Sequence, residues 1–182
     1  ARSSMETITS LLNTFLDIDM LEAGLEMDMQ PCDLVRIVEE AIQSYRSQME
    51  HKRQELRWEP PVGIPLVGGN PYRLRQVVEH LLSNATKFTP EGGWIAVNVE
   101  RDGEHVIVHV ADNGIGIPPA EQPYIFDKFY RVESDETIGV PGSGLGLALV
   151  KSVIGRHNGR VWVESRPGVG SVFSFILPVL KS

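Results

Sequence analysis

One cysteine, Cys32, stands in 182 residues, so no internal disulfide framework exists and a reducing compartment is expected. No apolar run approaches the roughly 20 residues of a membrane-spanning helix, and no secretory signal is visible. Internal repeats and low-complexity tracts are absent as well. Basic residues number 17 against 24 acidic ones, and the net charge of −7 argues against nucleic acid as a partner, because a phosphate backbone calls for a basic face. A nucleotide is not excluded, since it needs only local donors and usually a magnesium ion. The opening Ala1-Arg2 lacks an initiator methionine, and for that reason a piece of a longer protein is expected. The remaining composition, 42% apolar and 23% charged, is that of a globular protein with one ordinary domain and a short appendage. The expected location is the cytoplasm, with the parent protein either free or membrane-anchored.

Against that background two glycine-rich turns stand out. Asp112-Asn113-Gly114-Ile115-Gly116-Ile117 is followed by Gly142-Ser143-Gly144-Leu145-Gly146-Leu147, and the second runs straight into an apolar helical pattern. Glycine lets backbone amides approach a phosphate, and the following helix adds its positive N-terminal end. The pair describes a nucleotide pocket with a flexible cover.

Periodicity supplies the frame. Residues 4–26 read as one helix with Ile8, Leu11, Phe15, Ile18, Leu21 and Leu25 on a seam. That seam predicts pairing with another helix or another subunit, with folding back on the main domain as the alternative. Glu26 to Gln30 reads as a short strand. Asp33 caps a helix whose inner face is Leu34, Ile37, Val38, Ala41, Ile42, Tyr45 and Met49. Leu56 to Glu59 suggests another strand. Asn70-Pro71 starts a helix that buries Leu74, Val77, Val78, Leu81, Leu82 and Ala85. A hairpin turns at Asp102-Gly103, residues 119–130 look helical, 131–143 form a loop and 145–157 a helix. Val161 to Glu164 and Val172 to Leu177 close the chain as strands around Pro167-Gly168-Val169-Gly170. Strands and helices come in clusters without strict alternation. This predicts an α+β fold, a two-layer α/β sandwich with a mixed, mainly antiparallel sheet covered by helices, preceded by one long helix.

Several polar residues could carry chemistry. His80, Asn84 and Lys87 share one helix face. An amide oxygen is a hard ligand suited to magnesium and a lysine one turn on can reach a phosphate, although a solvated helix face is the plain alternative. Asp112 closes a valine-rich strand, where it could accept from an exocyclic amine or simply bond its own backbone. Phe126 and Phe129 are expected to anchor the loop in the core. Arg131 could meet a γ-phosphate or lie in solvent.

Taken together, Asn84, the 112–117 turn, Phe126 with Phe129, and the 142–147 turn resemble the N, G1, F and G2 boxes of sensor histidine kinases, within the wider GHKL ATPase superfamily. Gly168-Val169-Gly170-Ser171 with Phe173 and Leu177-Pro178 resembles their last glycine turn and final strand. The opening helix, ending Leu21-Glu22-Ala23-Gly24, looks like the second helix of their dimerisation hairpin. The resemblance implies a GHKL (Bergerat) ATP-binding fold over residues 27–182, with an incomplete dimerisation hairpin over 1–26. It implies ATP and Mg2+ as cofactors, with Asn84 on the metal and Lys87 on the phosphates. Phe88 would lie near adenine and Asp112 would accept from its amine. Gly114, Gly116 and Ile117 would shape the base site. The lid would hinge on Gly139, Gly142 and Gly144, with the amides of Gly144, Leu145, Gly146 and Leu147 near the phosphates and Ser171 also at the nucleotide. The implied reaction moves the γ-phosphoryl group to a histidine and then to an aspartate of a response regulator, from a homodimer held by the opening helix.

Two departures are visible. The family usually has an asparagine four residues before Asn84, where this chain has His80; a histidine there could bind metal, accept a proton or fill space. None of His51, His80, His105, His109 or His157 has the family's acceptor context, a helical histidine followed by an acidic residue, so the acceptor is expected elsewhere. A regulatory module that binds nucleotide without transferring phosphate is the main alternative. A hydrolysing ATPase is disfavoured, because those enzymes place a glutamate where His80 stands.

Overall fold

A computed structural model describes residues 2–140 and 142–181; Ala1, Ser182 and Pro141 of the predicted lid lie outside the described residues. Helix α1 (Arg2–Glu22) opens the chain, followed by β1 (Gln30–Cys32), α2 (Leu34–His51), β2 (Glu55–Arg57), β3 (Val67–Gly69) and α3 (Pro71–Phe88). The hairpin β4 (Trp94–Asp102) and β5 (His105–Asp112) comes next. A single 3-10 turn (Gln122–Tyr124), α4 (Gly146–Arg156), β6 (Arg160–Arg166) and β7 (Gly170–Pro178) complete it. Five strands form one sheet in the order β2-β4-β5-β7-β6, with β2 parallel to β4 and every other pair antiparallel. This is the predicted mixed sheet under a layer of helices.

Register explains the core. Val110 lies between Val97 and Phe173, and Val108 between Val99 and Phe175, so one face of the sheet is continuously apolar. Helices α2 and α3 present the predicted stripes to it, from Leu34 to Met49 and from Leu74 to Ala85. Their starts are set by side-chain caps: Asp33 accepts from the Val35 and Arg36 amides, and Asn70 from Arg73 with Pro71 at the first helical position. His157, at the end of α4, is buried and binds both ways: Nδ1 lies 2.7 Å from the Val153 carbonyl and Nε2 accepts from the Asn70 amide at 3.0 Å. Those two bonds select one neutral tautomer, and burial lowers its pKa.

Four local expectations change. The segment 119–130 is not a helix: Pro123 removes a donor and its ring blocks the preceding turn, leaving only Gln122–Tyr124. The strand expected over 26–30 sits at Gln30–Cys32, an edge strand that tolerates Pro31 because it pairs on one side only, with β3. β3 itself, Val67-Gly68-Gly69, has no alternation to betray it. Helix α1 stops at Glu22 because Gly24 takes φ +77 and Leu25 returns its amide to the Met20 carbonyl.

The seam of α1 divides. Leu11, Phe15, Ile18 and Leu21 fold against the main domain, whereas Ile8 and Leu25 are exposed. The half-buried ion pair Asp17–Arg73 at 3.1 Å and the bond from Arg156 to the Leu21 carbonyl hold the helix there. A second stripe, Met5, Ile8, Leu12, Leu16 and Met20, stays exposed on the other side.

Candidate functional site

A cleft of about 330 Å³ opens between α3, the N-terminus of α4 and the C-terminal end of β5. One wall is the α3 face that carries His80, Asn84, Lys87 and Phe88. The 3.6-residue repeat places these residues together because Leu81, Leu82 and Ala85 turn the opposite flank into the core. The C-terminal end of that wall is held from α2's side. Lys52 Nζ donates to the Thr89 carbonyl at 2.9 Å, and Gln54 Nε2 to the Thr86 and Thr89 carbonyls at 3.0 and 2.8 Å. A cation on those carbonyls also suits the negative end of the helix.

Among the described residues, no hydrogen bond or ion pair joins the side chains of His80, Asn84 or Lys87 to the protein. His80 and Asn84 are partly buried and Lys87 is exposed, so all three keep their polar atoms available to a ligand on a single wall. Lys87 and Arg131 face the same space. Burial lowers the Lys87 pKa first, and the Arg131 guanidinium lowers it further. Two cations brought this close call for an anion between them. Arg131 is exposed yet lines the cleft, and it donates to the Val140 carbonyl, which ties the two ends of the 131–140 segment.

Asp112 and Ser171 line the base of the cleft, with Phe173 beside them. Asp112 Oδ1 accepts from the Gly114 amide at 2.8 Å, so the short-range turn bond and a place in the cleft hold together. Burial pushes its carboxyl from 3.8 up to about 6, opposed by the Gly114 and Ser171 amides. Gly116 takes φ +72 under the carbonyl of Arg166, 2.2 Å from where a Cβ would sit, so only glycine passes there. Ile117 lines the cleft with its amide bonded to Ser165 Oγ, which also touches Ser171 Oγ at 2.7 Å.

On the lid side, Gly142, Gly144, Gly146 and Leu147 line the cleft as expected, and Gly139 takes φ +83 with open space around it. Two expected contacts lie off the wall. Gly114 is packed on the Phe88 carbonyl, where a Cβ would come within 2.5 Å, so it sets the approach of the turn to α3. Leu145 is buried and its amide donates to Ser143 Oγ at 3.2 Å. Phe126 anchors as predicted, edge-to-face on Phe173 with centroids 6.3 Å apart. Phe129 does not. It is 60% exposed, holds φ +64, and stacks on Phe15 of α1 at 6.1 Å while its amide donates to the Gly144 carbonyl.

Sequence reasoning missed the cleft residues Tyr45, Tyr130 and Thr137, and Ser10 and Thr14 of α1. Tyr45 was legible in part, since a tyrosine on an apolar helix face needs a partner for its hydroxyl; here it is Ser83. The others are brought in by tertiary packing alone. Of the remaining histidines, His109 lies on the outer sheet face against Ser174 at 2.6 Å, away from the cleft.

A model of the histidine kinase-, DNA gyrase B- and HSP90-like ATPase family matches residues 69–181. The adaptive-response sensory kinase SasA of Thermosynechococcus vestitus is 39% identical over 98% of this chain and 47% of its own length. The circadian input-output histidine kinase CikA of Synechococcus elongatus is 34% identical over 96% of the chain and 24% of its own. This chain therefore spans half or less of the curated relatives it matches. Among solved structures, full-length ShkA in complex with AMPPNP superposes over all of this chain and 38% of its own, with a TM-score of 0.85 and 30% identity. The mycobacterial sensor histidine kinase MprB covers 85% of this chain and all of its own, with a TM-score of 0.70 and 29% identity. With its sandwich fold and its cleft between two glycine turns, the chain belongs to the histidine kinase-, DNA gyrase B- and HSP90-like ATPase family, and these relatives to which it is similar are named as sensory or histidine kinases.

Proposed function

We propose that the cleft binds ATP with Mg2+ and that the domain over residues 27–182 transfers the γ-phosphoryl group to a histidine outside residues 1–182, for relay to an aspartate of a response regulator. Residues 1–26 carry the second helix of a dimerisation hairpin, and the parent protein acts as a homodimer on the cytoplasmic side. The observation that carries this reading is the α3 wall, where His80, Asn84 and Lys87 reach the cleft without a partner in the protein.

The donor set fits the metal. An uncommitted amide oxygen is a hard ligand, and among the described residues no group of three or more His, Cys, Asp or Glu could hold an ion unaided, so Asn84 would hold the metal together with the nucleotide. Magnesium would be held at Asn84 and would supply positive charge against the charge that builds on the transferring phosphoryl group. The residues do the rest. Lys87 and Arg131 place positive charge at the phosphates, and the first turn of α4 at Gly146 and Leu147 offers its N-terminal dipole. Asp112 accepts from the adenine amine, with Phe88, Gly116 and Ile117 around the ring. Tyr130, Val132 and Thr137 cover the site and exclude water.

The experiment joins this chain to its upstream helix, adds magnesium and labelled ATP, and looks for acid-labile phosphate on that helix. Tight nucleotide binding without phosphohistidine supports the regulatory module instead. No binding of adenine nucleotide refutes both.

A further inference from the structure

His80 stands one helical turn before Asn84 on α3, and both line the cleft. Side chains at this i, i+4 spacing have Cβ atoms about 5–6 Å apart. Two ligands so placed close on one cation, the arrangement by which a helix presents paired histidines to zinc. The ring of His80 is seated against the first residue of α4: a Cβ on Gly146 would stand 3.1 Å from Nδ1. Among the described residues neither ring nitrogen has a hydrogen-bond partner in the protein. The other two histidines with inward or lateral positions differ in this respect, since His157 and His109 are both tied to protein oxygens or amides.

We propose that His80 ligates the same divalent cation as Asn84, creating a mixed nitrogen–oxygen site that favours manganese over magnesium when nucleotide is bound. The proposal rests on the ATP reading above. Magnesium takes oxygen ligands in near-ideal octahedral geometry and gives up water reluctantly. Imidazole suits the later divalent ions, which bind nitrogen more strongly along the series that begins at manganese. An asparagine in this place, the residue usual in these kinases, offers oxygen and carries no such bias. The histidine therefore changes the chemical class of one ligand while leaving the fold of α3 untouched.

The test uses the whole chain with AMPPNP. Calorimetric titration of the nucleotide in manganese and in magnesium gives an affinity ratio for the native chain and for His80→Asn. Pulsed electron paramagnetic resonance of the manganese complex reports directly bound nitrogen. The expected result is an imidazole nitrogen coupling in the native complex that vanishes in His80→Asn, with the manganese-to-magnesium affinity ratio falling about tenfold, the equivalent of 1.4 kcal/mol. Nucleotide binding with no nitrogen coupling in the native complex, or with the same ratio in both proteins, overturns the metal role of His80 and leaves the ATP reading standing. Absence of nucleotide binding in either metal overturns both.

Discussion

Replacing Asp112 by asparagine should stabilise the unliganded domain and weaken its hold on adenine nucleotide. Asp112 is 8% exposed, and burial pushes its carboxyl from 3.8 up to about 6 even though the Gly114 and Ser171 amides pull the other way. At about 1.4 kcal/mol per pH unit, the ionised carboxylate costs the folded state up to about 3 kcal/mol at neutral pH. Asparagine keeps an oxygen for the Gly114 amide but adds an amino group that must find water, at a cost of about 1 kcal/mol or more. The net gain is about 1–2 kcal/mol, or about 2–8 °C in Tm for a chain of this size. The sign follows from the direction of the shift. The folded value lies above the unfolded one, so the penalty is absent below about 3.8 and complete above about 6. The difference between the two proteins should therefore be full at pH 7 and shrink as the pH falls to 4. Binding moves the opposite way: loss of the charged acceptor proposed for the adenine amine should weaken AMPPNP about 10- to 100-fold, or 1.4–2.8 kcal/mol. Urea unfolding at pH 7 and pH 4 with calorimetric titration of the nucleotide measures both. A variant less stable than the native chain at pH 7, or one that binds AMPPNP equally well, would refute the reasoning.

Three further outcomes are expected. Lys87→Met removes one of the two cations at the proposed phosphate end, so AMPPNP affinity should fall about tenfold or more while adenosine affinity, measured the same way, is unchanged. Gly116→Ala forces a side chain onto the Arg166 carbonyl at φ +72 and should cost about 2–4 kcal/mol in urea unfolding, with nucleotide binding lost in the folded fraction. His157→Phe strands the Asn70 amide at the start of α3 and should lower stability by about 1–3 kcal/mol; equal midpoints in denaturant would show that the His157 bridge carries no weight.

The correspondence between sequence and structure is uneven for physical reasons. Helices α2 and α3 were legible because their caps and apolar stripes are local signals: Asp33, Asn70-Pro71 and the spacing of the buried residues. The hairpin β4–β5 was legible because its valines alternate toward a single buried face. The segment 119–130 misled because its aromatic spacing suits a helix, whereas Pro123 and the left-handed Phe129 forbid one. Phe129 misled further, since an aromatic ring is assigned to the core by composition, yet this one is spent on α1. The seam of α1 announced that a partner was needed without saying which. Leu11, Phe15, Ile18 and Leu21 find it on the body of the same chain.

The sequence by itself determined the kind of pocket. The order and spacing of Asn84, the 112–117 turn and the 142–147 turn are properties of the chain, because glycine is required wherever backbone must pass under a base or a carbonyl. Only the tertiary structure decided the electrical state of that pocket. Burial of Asp112, the approach of Arg131 to Lys87, and the seating of His80 against Gly146 join residues far apart in the chain. Desolvation and Coulomb repulsion depend on distance in space, and no pattern along the chain encodes them.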